Sequence, residues 1–207
     1  MEDPRTTERL RQTPHWYVEA AQLKHALLNG LWAINHKIRN LRHESATDML
    51  SGLLNRRGLR AALDDLSANR TPTAIIVLDI DHFKRVNDTL GHDSGDAIIR
   101  MTAERMRRAA RAGDITARTG GEEFVMLLPD TSAAEAWHIA EQLRRDIHET
   151  PTTTAMPITV SCGIAQCPEI ARDLDEAWQL ADKALYRAKR TGRDCSFVAE
   201  RASGADA

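Results

Sequence analysis

The run TAIIVLDI at residues 73–80 constrains the fold most tightly. It is apolar without alternation, so it reads as a strand buried on both faces rather than one with a wet side. Around it, strand-like and helix-like segments interleave over roughly 150 residues, about the size of one ordinary domain. The stretch ARTGGEEFVMLL at 117–128 adds a second constraint. Its glycine pair stands between the runs ITAR and EEFVMLL and reads as a tight hairpin turn. A hairpin tip needs no carboxylate pair, and glutamate is a poor strand former. Glu122 and Glu123 therefore raise the question of what their charge is for.

The other segments follow the same reading. Helices are expected over 57–69, over 96–112 after a polar loop DHFKRVNDTLGHDSGD (81–96), and over SAAEAWHIAEQLRRDIHE (132–149). The last of these has an apolar face that includes Ala136, Ile139, Ala140, Leu143 and Ile147. A strand at 158–167, a helix LDEAWQLADKALYRAKRTG ended by Gly192, and a short strand CSFVA complete a globular domain at 48–199. Residues 1–15 are polar, with Pro4 and Pro14, and are expected to be frayed; 200–207 read as a disordered tail. Between them and the domain, residues 16–47 read as helix. Leu27, Leu31, Ile34, Ile38 and Leu41 alternate spacings of four and three, a heptad seam, so a coiled-coil dimerisation stalk is expected.

Composition closes off several function classes. Across 207 residues, a net charge of −2 argues against a nucleic-acid partner, which calls for a basic surface. The longest apolar runs, such as Ala74 to Leu78, are too short to span a membrane. The sequence MEDPRTTERL lacks a signal-peptide core. Three cysteines without a CxxC spacing fit neither a disulfide framework nor a zinc site, so a cytoplasmic location is expected.

The strand run ends on Asp79 and Asp81. The two are expected on opposite faces, leaving at most one to share a site with the hairpin. Asp79 and Glu122 or Glu123 could converge if their strands are neighbours. Crowded carboxylates repel unless a hard cation sits among them. Mg²⁺ accepts one or two protein carboxylates and completes its shell with water and phosphate oxygens, as in phosphoryl-transfer enzymes. Lys84, Lys189 and Arg193 are bases within reach of such a site, and Gly120 and Gly121 would let backbone approach a ligand. The residues thus point to a metal-dependent site for a phosphorylated ligand, although each base alone could be a solvated surface charge.

GGEEF at 120–124 resembles the signature of the GGDEF family of diguanylate cyclases. TDMLSGLLNRRGL (47–59), LDIDHFKRVNDTLGHDSGD (78–96), SCGIA (161–165) and ADKALYRAKRTGRD (181–194) resemble further family segments, in the expected order. The resemblance implies an α/β (α+β) sandwich with a central mixed, largely antiparallel sheet surrounded by helices, like a polymerase palm or nucleotidyl cyclase. It implies condensation of two GTP into cyclic di-GMP with release of two pyrophosphates, and a homodimer, since each GTP must offer its 3′-hydroxyl to the other. Asp79, Glu123 and the Ile80 carbonyl match ligands of Mg²⁺, with Mn²⁺ as an alternative, and Glu122 matches the position of a base. Asn87 and Asp96 match the guanine readers. Phe83, Lys84, Gly120, Gly121, Lys189 and Arg193 match positions around the triphosphate. Arg111 and Asp114 match an RxxD site where product binds and inhibits. The chain also carries RxxD at Arg85–Asp88 and Arg172–Asp175, so only the register to the hairpin distinguishes the 111–114 copy. Gln142 stands where the family often has a further arginine, with Arg144 and Arg145 close by. Thr119 replaces a large apolar residue. Two other readings stay open: a member that binds GTP or product without turnover, and a cyclase taking ATP or mixed nucleotides. No catalytic position is lost, against the first; Asp96 can accept both N1–H and N2–H of guanine, against the second.

Overall fold

The computed structural model describes residues 46–152 and 157–201, together with Lys24, Leu27 and Leu28. The chain divides into two compact units, Met1–Ser45 and Ala46–Ala207. The expected frayed start, most of the expected stalk and most of the expected tail lie outside the described residues.

Five strands form one sheet in the order β2-β3-β1-β4-β5. β1 (Thr73–Ile80) is central and buried at every position, as its lack of alternation requires. It pairs antiparallel with β3 (Glu123–Pro129) on one side and β4 (Val160–Cys167) on the other. β2 (Ile115–Gly120) pairs antiparallel with β3, and β5 (Ser196–Val198) lies parallel to β4. The sheet is therefore mixed and largely antiparallel.

Helices cover both faces. On one, Leu59 and Leu63 of α1 (Arg56–Ala68) and Ala177, Ala181 and Leu185 of α5 (Leu174–Arg190) pack on Ile75 and Val77. On the other, α2 (Phe83–Leu90), α3 (His92–Ala109) and α4 (Ala133–His148) bury Phe83, Ile98, Met106 and Leu143 against Ile76 and Leu78. α4 begins with a capping box between Ser132 and Glu135, which satisfies amides that a helix start leaves bare. β4 meets α5 so closely at Gly163 that a Cβ there would overlap the Ala181 carbonyl and the Leu185 amide.

One expected loop is a helix. Residues 83–90 form α2, and α3 starts at His92, not at 96; Gly91, at φ 82°, turns the chain between them. Only Phe83 and Val86 of α2 are buried, one turn apart, and five of its six other residues are polar, which reads as loop. Among the described residues, no helix is long and apolar enough to cross a membrane.

Candidate active site

Asp79 occupies the last turn of the pleat in β1 with Glu123 as its register partner on β3 and Ser161 on β4. Two flanking strands bury it. The hairpin tip is tied to the same strand end, because the Ile80 amide donates to the Glu122 carbonyl at 3.2 Å. Gly121 stands at φ 44°, and Arg118 donates to its carbonyl through Nε and Nη2 at 2.9 and 2.8 Å. Lys189 Nζ reaches Asp79 Oδ2 at 2.7 Å from the last turn of α5. Burial pushes the Asp79 carboxyl up to about 6; Lys189 opposes that rise, and the charges of Glu122 and Glu123 add to it. A buried acid facing two others is short of positive charge, which the one lysine supplies only in part.

Asp81 behaves differently from expectation. Side chains two apart along an extended run share a face, and both acids lie on the side that α5 and the segment after it approach. Asp81 is saturated there. It accepts from Thr159 Oγ1 at 2.8 Å, Ser161 Oγ at 2.7 Å and the Asp194 amide at 3.0 Å. Asp79, not Asp81, is the acid that joins the hairpin, and Asp81 anchors the segment bearing Arg193.

That segment is bent unusually: Arg193 and Asp194 both have positive φ, 66° and 48°. Non-glycine residues rarely hold this conformation without support. Arg144 of α4 provides it, donating from Nη1 to Asp194 Oδ1 at 2.7 Å while pairing with Glu141 at 3.0 Å. Sequence reasoning missed this link. It noted Arg144 only as close to Gln142, whereas the guanidinium is committed to Glu141 and Asp194. Asp182 was also missed. It lines a groove of about 360 Å³ with Glu123, Lys189, Arg56, Trp178 and Tyr186. Its place seven residues before Lys189, on one helix face, was the available signal.

The expected base and phosphate positions lie on α2 and α3. Phe83 is the first residue of α2 and is buried, so only its backbone is available to a ligand; Lys84 beside it is exposed. The N-cap His82 gives no side-chain hydrogen bond, leaving the helix start open to an anion. Asn87 Oδ1 is buried and has no hydrogen-bond partner among the described residues. Asp96, with Arg100 Nη2 3.8 Å away, lies beyond the first turn of α3, where Asp93 already sits. Stabilising the helix start is thus not its role.

Arg111 and Asp114 sit at the far end of the hairpin, just before β2, whose first residue Ile115 is about 17 Å along the strand from Gly120. The Asp114 carboxylate accepts from the Arg111 amide at 2.7 Å, and Arg111 Nη2 donates to Thr131 Oγ1 at 2.6 Å. Gln142 donates to Asp146 at 2.9 Å and lines a cleft of about 540 Å³ with Arg105, Arg108 and His138.

The diguanylate cyclase GGDEF domain family matches residues 45–195. The chain belongs to this family. It is 38% identical over 167 residues to the response regulator PleD of Caulobacter vibrioides, covering 75% of this chain and 37% of PleD. It thus spans little more than a third of that relative. The GGDEF domain of DgcB from Caulobacter crescentus, solved in complex with c-di-GMP, superposes with a TM-score of 0.69 at 34% identity, covering 75% of this chain and 96% of that one. The active GGEEF domain of a diguanylate cyclase from Vibrio cholerae gives 0.66 at 34% identity, covering 72% and 99%.

Proposed function

We propose that this chain is a diguanylate cyclase that condenses two GTP into cyclic di-GMP with a divalent cation, Mg²⁺ or alternatively Mn²⁺, as a homodimer restrained by its product. The observation that carries the reading is the register pairing of Asp79 with Glu123 beneath Lys189. Two acids from adjacent strands, one of them buried and reluctant to ionise, suit a hard cation that needs only one or two carboxylates. Among the described residues no group of three or more such side chains converges on a metal position, so the remaining ligands would be the Ile80 carbonyl, water and phosphate oxygens. When bound, the cation neutralises charge on the phosphates and polarises the phosphorus to be attacked.

The chain's own residues divide the remaining work. The open start of α2 at Phe83 and Lys84, with Lys189 and Arg193 opposite, holds the triphosphate; Gly120 and Gly121 keep the hairpin close to it. Asp96 accepts from the Watson–Crick edge of guanine, with Asn87 beside it. Glu122 takes the proton of the 3′-hydroxyl as its oxygen bonds to the α-phosphorus of the other GTP and pyrophosphate leaves. Done twice across a two-fold axis, this closes the ring. Residues 16–47 would hold two domains at high effective concentration. Arg111, on the turn that Asp114 holds, would bind product, and it can grip the O6/N7 edge of guanine in a bidentate fashion.

Incubation with GTP and Mg²⁺ followed by product chromatography tests the reading, with Glu123→Gln as control. Cyclic di-GMP from the wild type and none from the variant is the expected result. Absence of product at every protein concentration, despite binding of GTP, would turn the reading into that of a receptor.

A further inference from the structure

We propose that Gly95 sets base specificity by acting as the floor on which the Asn87 amide rests, an inference that builds on the GTP reading above. Gly95 is buried in the second turn of α3, where glycine weakens a helix. Its φ is not in the left-handed region, so the backbone does not call for glycine there. The space does. A Cβ at position 95 would overlap Asn87 Oδ1, and would stand 3.0 Å from Asn87 Cγ and 3.1 Å from Phe83 Cζ.

The amide held over this bare Cα is itself incomplete. Asn87 Oδ1 is buried without a donor among the described residues, which is costly in a free protein. The 2-amino group of guanine is a donor that would complete it; adenine and hypoxanthine carry no such group. Gly95 is adjacent to Asp96, so one turn of α3 supplies both the acceptor for the base and the room for its neighbour. Any side chain at 95 pushes the amide off its seat and toward the place the base must occupy. Gly95 touches no substrate in this account and acts chiefly through Asn87, the Phe83 ring being the lesser contact.

A double-mutant cycle on the full chain tests this: wild type, Gly95→Ala, Asn87→Ala and the two together, titrated in magnesium buffer with non-hydrolysable analogues of GTP and ITP. Gly95→Ala is expected to weaken the GTP analogue by at least about tenfold, the order of one lost hydrogen bond. Its preference for GTP over ITP should fall to that of Asn87→Ala. The double variant should bind no more weakly than Asn87→Ala alone, because removing the amide removes the overlap and leaves only the 3.1 Å approach to Phe83 Cζ. Gly95→Ala retaining the wild-type GTP preference, or losses that multiply in the double variant, would overturn the proposal while leaving the cyclase reading intact. A wild type that binds neither analogue would remove both. If Gly95→Ala does not fold, a double variant that folds and binds like Asn87→Ala supports the clash, and one that also fails overturns it.

Discussion

Lys189 Nζ lies 2.7 Å from Asp79 Oδ2, joining the last turn of α5 to the end of the central strand. The ammonium therefore stands against the carboxylate proposed to hold a divalent cation. Metal and nucleotide should bind cooperatively, because the incoming phosphates draw the lysine off as the cation arrives. Lys189→Met is expected to tighten Mn²⁺ binding in the absence of nucleotide. The same variant should weaken a non-hydrolysable GTP analogue by about tenfold, the order of one charge-assisted hydrogen bond. Calorimetry reads both, and two shifts in the same direction would disprove the exchange.

Asp79 should make the free protein pH-dependent. Its carboxyl lies at about 6, raised from 3.8 by burial in the folded state. The folded protein thus holds the proton more tightly than the unfolded chain does. Stability is greatest below pH 4 on this account and falls as pH rises through about 6. Asp79→Asn removes the loss, so its Tm should exceed that of the wild type by several degrees at about pH 7.5. At pH 4 the two should converge. Thermal unfolding followed at both pH values decides it, and an equal difference at each would assign the effect to packing.

Arg144 connects α4 to the segment that carries Arg193, through Asp194 at 2.7 Å. Its guanidinium is mostly buried, as is Glu141. Arg144→Met leaves two acids without their cation and frees a backbone held at positive φ. Stability should fall on the order of 2 kcal/mol, below the 3–5 of a fully buried pair. If the segment positions Arg193, KM for GTP should rise several-fold with kcat little changed. A matched loss of kcat without any change in KM would show that Arg144 serves stability alone.

The sheet was legible because its strongest signals are local. TAIIVLDI declares a covered strand by lack of alternation, and the Gly-Gly pair places the hairpin that brings Glu123 opposite Asp79. α2 was not legible, since two buried residues in eight resemble a polar loop until the core they enter is known. The Arg144–Asp194 link was out of reach for a different reason: fifty positions separate the partners, and only folding reveals that they meet. Asp81 shows the same limit. Its acid could be read, but its three donors could not. Gly95 reads as part of the polar loop 81–96, and the reason for it, the space taken by the amide of Asn87, is tertiary.

Arg111 and Asp114 separate into two jobs that mutation should resolve. The Asp114 side chain is 3% exposed and accepts from the Arg111 amide, whereas the Arg111 side chain is 58% exposed. Asp114 shapes the turn, and Arg111 is the part that a ligand can reach. Arg111→Ala should leave stability within about 0.5 kcal/mol, as surface changes generally do. Half-inhibition by added cyclic di-GMP should then require at least about tenfold more of it, the order of a bidentate guanine contact. Asp114→Ala should lower stability by about 1–3 kcal/mol, since it strips the Arg111 amide of its acceptor. Initial rates at graded cyclic di-GMP, alongside urea unfolding, read the two effects separately. Inhibition of Arg111→Ala at the wild-type concentration of cyclic di-GMP would move the product site away from this turn.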